Sequence, residues 1–242
     1  MKFLKGYGIY FVPIMLGIVV CVCVFSGVGN GKPAQDTVFD YDDMHISSES
    51  VVIDGIENEY KIFFVSDSHI SLCDEADAEL MDKARLRQQG FVDEDGIESP
   101  VTFDKMVNSA NLLEADLFIM GGDIIDSAMY ASIDYLESEL SKLDMPYMYE
   151  LGNHDFEYGD EYFSEKAYSD YFTRLEALHG DEHYLVREFD DLIFFAVDDH
   201  NNRIDAESFD MYKELIKKNK PIVLILHVPN VKNTVGSTLL AE

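Results

Sequence analysis

The chain has 242 residues, 47% of them apolar and 27% charged, which is enough to bury the core of one full catalytic domain. Acids outnumber bases 47 to 18, giving a net charge of -29, and such a surface repels polyanions and argues against nucleic acid as a partner. Three cysteines, two of them inside an apolar run, exclude a disulfide framework and a Cys/His finger in the rest of the chain.

Lys2 and Lys5 precede a stretch from Gly6 to Gly31 without any charge, and Ile9 to Val28 is almost continuously apolar. That run is long enough to cross a bilayer, and lysines at its front put the following residues outside. Residues 1–31 are therefore expected to form a single-pass membrane anchor, or a signal peptide cleaved near Val24-Phe25-Ser26. The chain would then be extracellular, either anchored or secreted. Residues 32–50, with Gly, Pro, Gln and Ser among acids, read as a linker, and 51–242 as the catalytic domain.

Aromatic and β-branched content predicts strands over Tyr60–Ser66, Asp116–Met120 and Pro146–Leu151. A strand pair follows over His183–Arg187 and Leu192–Val197, and Pro221–Leu226 reads as an apolar strand. Apolar residues at helical spacing predict helices over Phe103–Glu114, Ile133–Leu143 and Ala206–Lys218. The alternation implies α/β packing. Ser71–Pro100, acidic and with a short helix near Ala76–Gln88, interrupts the pattern as an insertion.

The chemistry lies where the strands end. The first runs into Asp67-Ser68-His69 and the second into Gly121-Gly122-Asp123-Ile124-Ile125-Asp126. The third runs into Gly152-Asn153-His154-Asp155, and the apolar strand ends on His227. Ligands of open α/β sheets gather beyond the carboxyl ends of strands, so these residues converge on one rim. Carboxylate, amide and imidazole donors without thiolates suit Zn, Mn or Fe. On an extended segment Asp67 and His69 would point to the same side and grip one ion. The glycines let the backbone turn sharply and approach a bound ion.

Asp-x-His, Gly-Asp-x-x-Asp, Gly-Asn-His-Asp and a later His, in this order from Ile62 to His227, resemble the signature of calcineurin-like metallophosphoesterases. The resemblance implies two mixed β-sheets packed face to face with flanking helices. It implies two divalent or trivalent metal ions, with Asp67 and His69 on the first, Asp123 bridging, and Asn153 and His227 on the second. His154 would face the leaving group, oriented by Asp126 in preference to Asp155. The implied reaction is hydrolysis of a phosphate ester by hydroxide held between the metals, on a phosphorylated small molecule or a surface substrate. The family pattern ends with a further Gly-His-x-His, and Val228 to Glu242 contains no histidine. The expectation is therefore a partial fold that lacks one ligand per metal, with His200 as a conceivable substitute. The alternative reading is an inert surface module of the same fold.

Overall fold

The computed structural model describes residues 9–10, 19–26, 37–41, 44–92, 96–156, 165–180, 182–201 and 203–228. The expectation for the C-terminal end, on residues 229–242, and much of the expected anchor lie outside them. Among the described residues ten strands run in chain order. They are β1 (Ile9–Tyr10), β2 (Val19–Ser26), β3 (Thr37–Tyr41), β4 (Met44–Val52) and β5 (Tyr60–Ser66), then β6 (Leu117–Gly121), β7 (Tyr147–Glu150), β8 (Tyr184–Glu188), β9 (Ile193–Val197) and β10 (Ile222–Ile225). The helices are α1 (Met81–Gly90), α2 (Ser99–Leu112), α3 (Tyr130–Leu140), α4 (Glu165–His179) and α5 (Ala206–Leu215).

The strands form two mixed sheets, one in the order β3-β4-β2-β5-β6-β7 and one in the order β1-β10-β9-β8. Parallel pairing of β5, β6 and β7 sets the register of the larger sheet, with Phe63 opposite Phe118 and Phe118 opposite Tyr147. In the smaller sheet β10 runs parallel to β9. Parallel strands are covered on both faces, which is why β6 and β9 are buried at every position and read as unbroken apolar runs.

Alternation along each strand sorts side chains into three layers. Ile62, Leu117, Ile119 and Met148 of the larger sheet meet Phe194, Ala196, Val223 and Ile225 of the smaller. On the outer face Phe63, Val65, Phe118, Met120 and Tyr149 pack under α2, α3 and α4 through Phe103, Met106, Leu136 and Leu175. Leu215 and Met211 of α5 cover Ile193 and Phe195 on the opposite side. The result is the four-layer arrangement of helices, sheet, sheet and helices.

Two stretches of the N-terminal part contain strands. Within the expected linker, β3 and β4 pair antiparallel, with Phe39 opposite Ile46. Within the expected anchor, Val19–Ser26 is a strand lying between β4 and β5, its backbone antiparallel to β5. Among the described residues no helix is long and apolar enough to cross a membrane.

Candidate metal centre

Strand ends from both sheets meet at one place. The turns after β5, β6 and β7 bring Asp67, His69, Asp123, Asp126, Asn153 and His154, and the turn after β10 brings His227. Asp67, Asp123 and His227 each place a donor atom within 4.8 Å of the others, and so do His69, Asp123 and His154. Asp123 belongs to both groups. Asn153 is half-buried in the turn between Gly152 and His154. His200 belongs to neither group. Its ring is bound to the Asp198 carboxylate and lies 4.4 Å from the Phe156 ring.

The Asp67-Ser68-His69 segment is not extended as the spacing had suggested. Asp67, His69 and Asp123 all sit in left-handed backbone, with φ of 58°, 48° and 54°. Such conformations cost on the order of 1–3 kcal/mol each in residues other than glycine and persist where the surroundings over-determine them. Here the two loops are laced together. Asp67 N donates to Gly122 O at 3.0 Å, His69 N to Asp123 O at 2.9 Å, and Ile70 N to Ile124 O at 2.9 Å. The pair still converges, with His69 Nε2 3.9 Å from Asp67 Oδ1 and 3.9 Å from Asp123 Oδ2.

A second brace is Asp155, fully buried behind the site. Its carboxylate accepts from Asp123 N (2.9 Å), Gly152 N (2.6 Å), Ile125 N (2.9 Å) and the Tyr149 hydroxyl (2.6 Å). Asp155 therefore holds the backbone of the site, and Asp126 is the carboxylate on His154, with Oδ1 2.9 Å from Nδ1. Two glycines make room for the donors. A Cβ on Gly152 would lie 2.2 Å from Asp123 Oδ1, and one on Gly122, at φ +90°, would lie 2.3 Å from the His227 ring.

The donors are set up for cations. His227 Nδ1 lies 2.8 Å from Gly121 O, an oxygen that can only accept, so Nδ1 carries a proton and Nε2 turns toward Asp123 Oδ2 at 3.2 Å. Neutral His227 would thus offer its Nε2 lone pair to an ion on Asp123. Burial opposes charge on His227, but the Asp123 carboxylate and the Gly121 carbonyl outweigh it and draw the pKa up to about 9. Burial likewise works against ionised Asp123, and His227 and His154 more than offset it, so its pKa is lowered. Around Asp126, burial is overcome by the His154 and His69 rings and by the Arg87 guanidinium, which hold its carboxyl well below the usual range. His69 Nδ1 is buried without a hydrogen-bond partner. A carboxylate shared by two His-containing groups, among oxygen and imidazole donors, fits a pair of divalent metal ions.

Three neighbours were not legible in the sequence. Arg87 of α1 reaches Asp126, Phe91 stacks on His69 at 4.1 Å between ring centroids, and Asp199 accepts from the backbone N–H groups of His227 and Val228 at 3.1 and 3.0 Å. None carries a local spacing signal, because each contact spans distant parts of the chain.

The chain belongs to the calcineurin-like phosphoesterase family, whose model matches residues 60–241. No curated protein sequence matches it. Among solved structures it is similar to a dimetal phosphatase from Danio rerio, at 14% identity and a TM-score of 0.36, over 65% of this chain and 51% of that one. It is also similar to a purple acid phosphatase isolated from yellow lupin (Lupinus luteus) seeds, at 13% identity and a TM-score of 0.39, over 76% of this chain and 34% of that one. The chain thus spans about half the length of the first and a third of the second.

Proposed function

We propose that this chain hydrolyses a phosphate ester at a two-cation site held by Asp67, His69, Asp123, Asn153 and His227, with His154 acting on the leaving oxygen. The observation that carries the proposal is the position of Asp123, buried and shared by one group with Asp67 and His227 and another with His69 and His154. Cations held by these residues would lower the pKa of water and neutralise phosphoryl oxygens. The protein's own part is orientation. The His154 backbone N–H donates to Asp123 Oδ1 at 2.7 Å, so the shared carboxylate and the acid are fixed together. Asp126 takes the Nδ1 side of the His154 ring, and Nε2, 4.0 Å from Asp123 Oδ2, faces the site and can deliver a proton to the departing oxygen.

The substrate side of the proposal rests on charge. A surface at -29 favours a small phosphorylated molecule or a surface-attached group over a polyanion. Placement outside the membrane is part of the same proposal and rests on the apolar, lysine-led N-terminal sequence.

The test is to purify the full chain, measure bound metal, and assay an aryl phosphate with added Mn. Asp123→Asn should lose both metal and turnover. His154→Gln should keep its metal while turnover falls at least about 100-fold, the lower range for a general acid. Full activity in either variant would overturn the assignment.

A further inference from the structure

The insertion between β5 and α2 does more than cover an edge of the site. Its helix α1 carries Arg87, whose Nε binds Asp126 Oδ2 and whose Nη2 lies 2.9 Å from Asp126 Oδ1. The same Nη2 is 3.1 Å from His154 Nδ1. The guanidinium lies 4.8 Å from the centre of the Phe91 ring, and Phe91 in turn stacks on His69. Asp126 is 4% exposed and the Arg87 side chain 30%, so the fork forms at the mouth of the site with its carboxylate inside.

A guanidinium donates and cannot accept. With Arg87 occupying both oxygens of Asp126, the carboxylate cannot rotate, and its Oδ1 is pinned opposite His154 Nδ1. An Nδ1 that donates to Asp126 cannot also accept from Nη2, so the 3.1 Å approach is a packing contact beside that hydrogen bond and not a second one. We propose that Arg87 is a positioning residue for His154, fixing the ring's plane and its Nδ1–H hydrogen bond to Asp126 through the bidentate fork on that carboxylate, so that Nε2 of the imidazolium is held toward the leaving oxygen. The proposal rests on the assignment of His154 to the leaving group. It adds a part for the insertion, a segment otherwise rich in acids that returns one guanidinium to the centre.

Two measurements test it. The first uses the metal-free chain and reads the imidazole nitrogens of His154 by long-range proton–nitrogen NMR. At a pH where the ring is neutral, the wild type should show the Nδ1–H tautomer alone and Arg87→Ala a mixture. Arg87→Lys should also fail to restore the wild-type pattern, since one ammonium cannot form the fork. An unchanged His154 pattern in folded Arg87→Ala would overturn the proposal. The second uses the Mn-loaded chain and a series of aryl phosphates. Arg87→Ala should lower kcat about tenfold or more for phenyl phosphate but less than about threefold for dinitrophenyl phosphate, because only the poor leaving group needs the acid. Added guanidinium should recover part of the loss. Equal losses across the series, or an effect on KM alone, would show that Arg87 binds phosphate or merely supports the fold. His154→Gln run on the same series separates the two readings. If it shows no dependence on leaving group, the assignment of His154 fails. If it does while Arg87→Ala does not, only the role of Arg87 fails.

Discussion

At the scale of single residues the centre is governed by who holds each imidazole. His227 illustrates this. Gly121 O takes its Nδ1 proton, Gly122 leaves the space for its ring, and Asp199 fixes its backbone, so Nε2 has one direction to face. With the pKa drawn up to about 9 by Asp123, His227 is protonated at neutral pH when no cation is present. The sign follows. A raised histidine pKa means that the ion pair with Asp123 contributes fully below the ordinary value of 6.5 and is lost as pH rises through about 9. A cation needs the neutral ring, so it must displace that proton. Metal binding at pH 7 is expected to release about one proton from this site, and affinity to rise about tenfold per pH unit until it levels near 9. Titration calorimetry in two buffers of different ionisation enthalpy measures the released proton directly. Binding that releases none at pH 7 would mean that Nε2 is not where the proton sits.

At the scale of elements, Asp77 shows how the insertion is tied down. It is 1% exposed in the 3-10 turn Glu75–Leu80, accepts the N–H of Tyr130 at the start of α3 at 2.8 Å, and pairs with Arg174 of α4 at 2.8 Å. Arg174 also donates to Ala128 O and lies 4.3 Å from the centre of the Tyr130 ring. One carboxylate thus joins the insertion, α3 and α4. Removing the cation from such a buried pair leaves a charge without its partner. Arg174→Met is therefore expected to cost on the order of 3 kcal/mol, and Asp77→Asn in the same chain should recover part of it. Urea denaturation of the single and double variants measures both. A single variant within about 0.5 kcal/mol of wild type would place the pair among ordinary surface contacts.

The same elements explain what was legible. β5, β6, β7 and β10 announce themselves because strands covered on both faces are largely apolar or aromatic, and their ends carry the Asp, Asn and His residues in sequence. β4 was hidden, because Ser47, Ser48, Glu49 and Ser50 look like linker, and only its partners make it a strand. The helix α4 has no clear apolar period, because among its described side chains Leu175 and Leu178 are the buried apolar ones in a stretch otherwise rich in polar and aromatic residues. The one-residue spacing of Asp67 and His69 suggests extended backbone. Left-handed conformations held by bonds to the neighbouring loop have no signature in the sequence.

At the scale of the whole molecule, bringing strand ends from two sheets to one centre also brings their acids together. Glu150, the last residue of β7, is fully buried, and neither of its carboxyl oxygens has a hydrogen-bond partner. It faces Asp198 and Asp199 at the end of β9 in the other sheet, and Asp155 in its own turn. Burial first, then the charges of those three carboxylates, push its pKa well above the ordinary 4.5, so Glu150 holds its proton to higher pH in the folded protein than in the unfolded chain. The unfolded chain releases that proton above about 4.5. Stability from this site is therefore greatest below the unfolded value and falls as pH rises toward the folded one. Gln mimics the protonated acid and has nothing to release. Glu150→Gln should match the wild type near pH 4.5 and gain on it as pH rises, by up to about 1.4 kcal/mol per pH unit until the folded pKa is passed. Denaturation curves of both proteins from pH 4.5 to 8 measure the difference, in which the titrations common to both cancel. A gap that stays constant across that range would mean that Glu150 is ionised in the folded state, with its charge met by a cation or by water between the sheets.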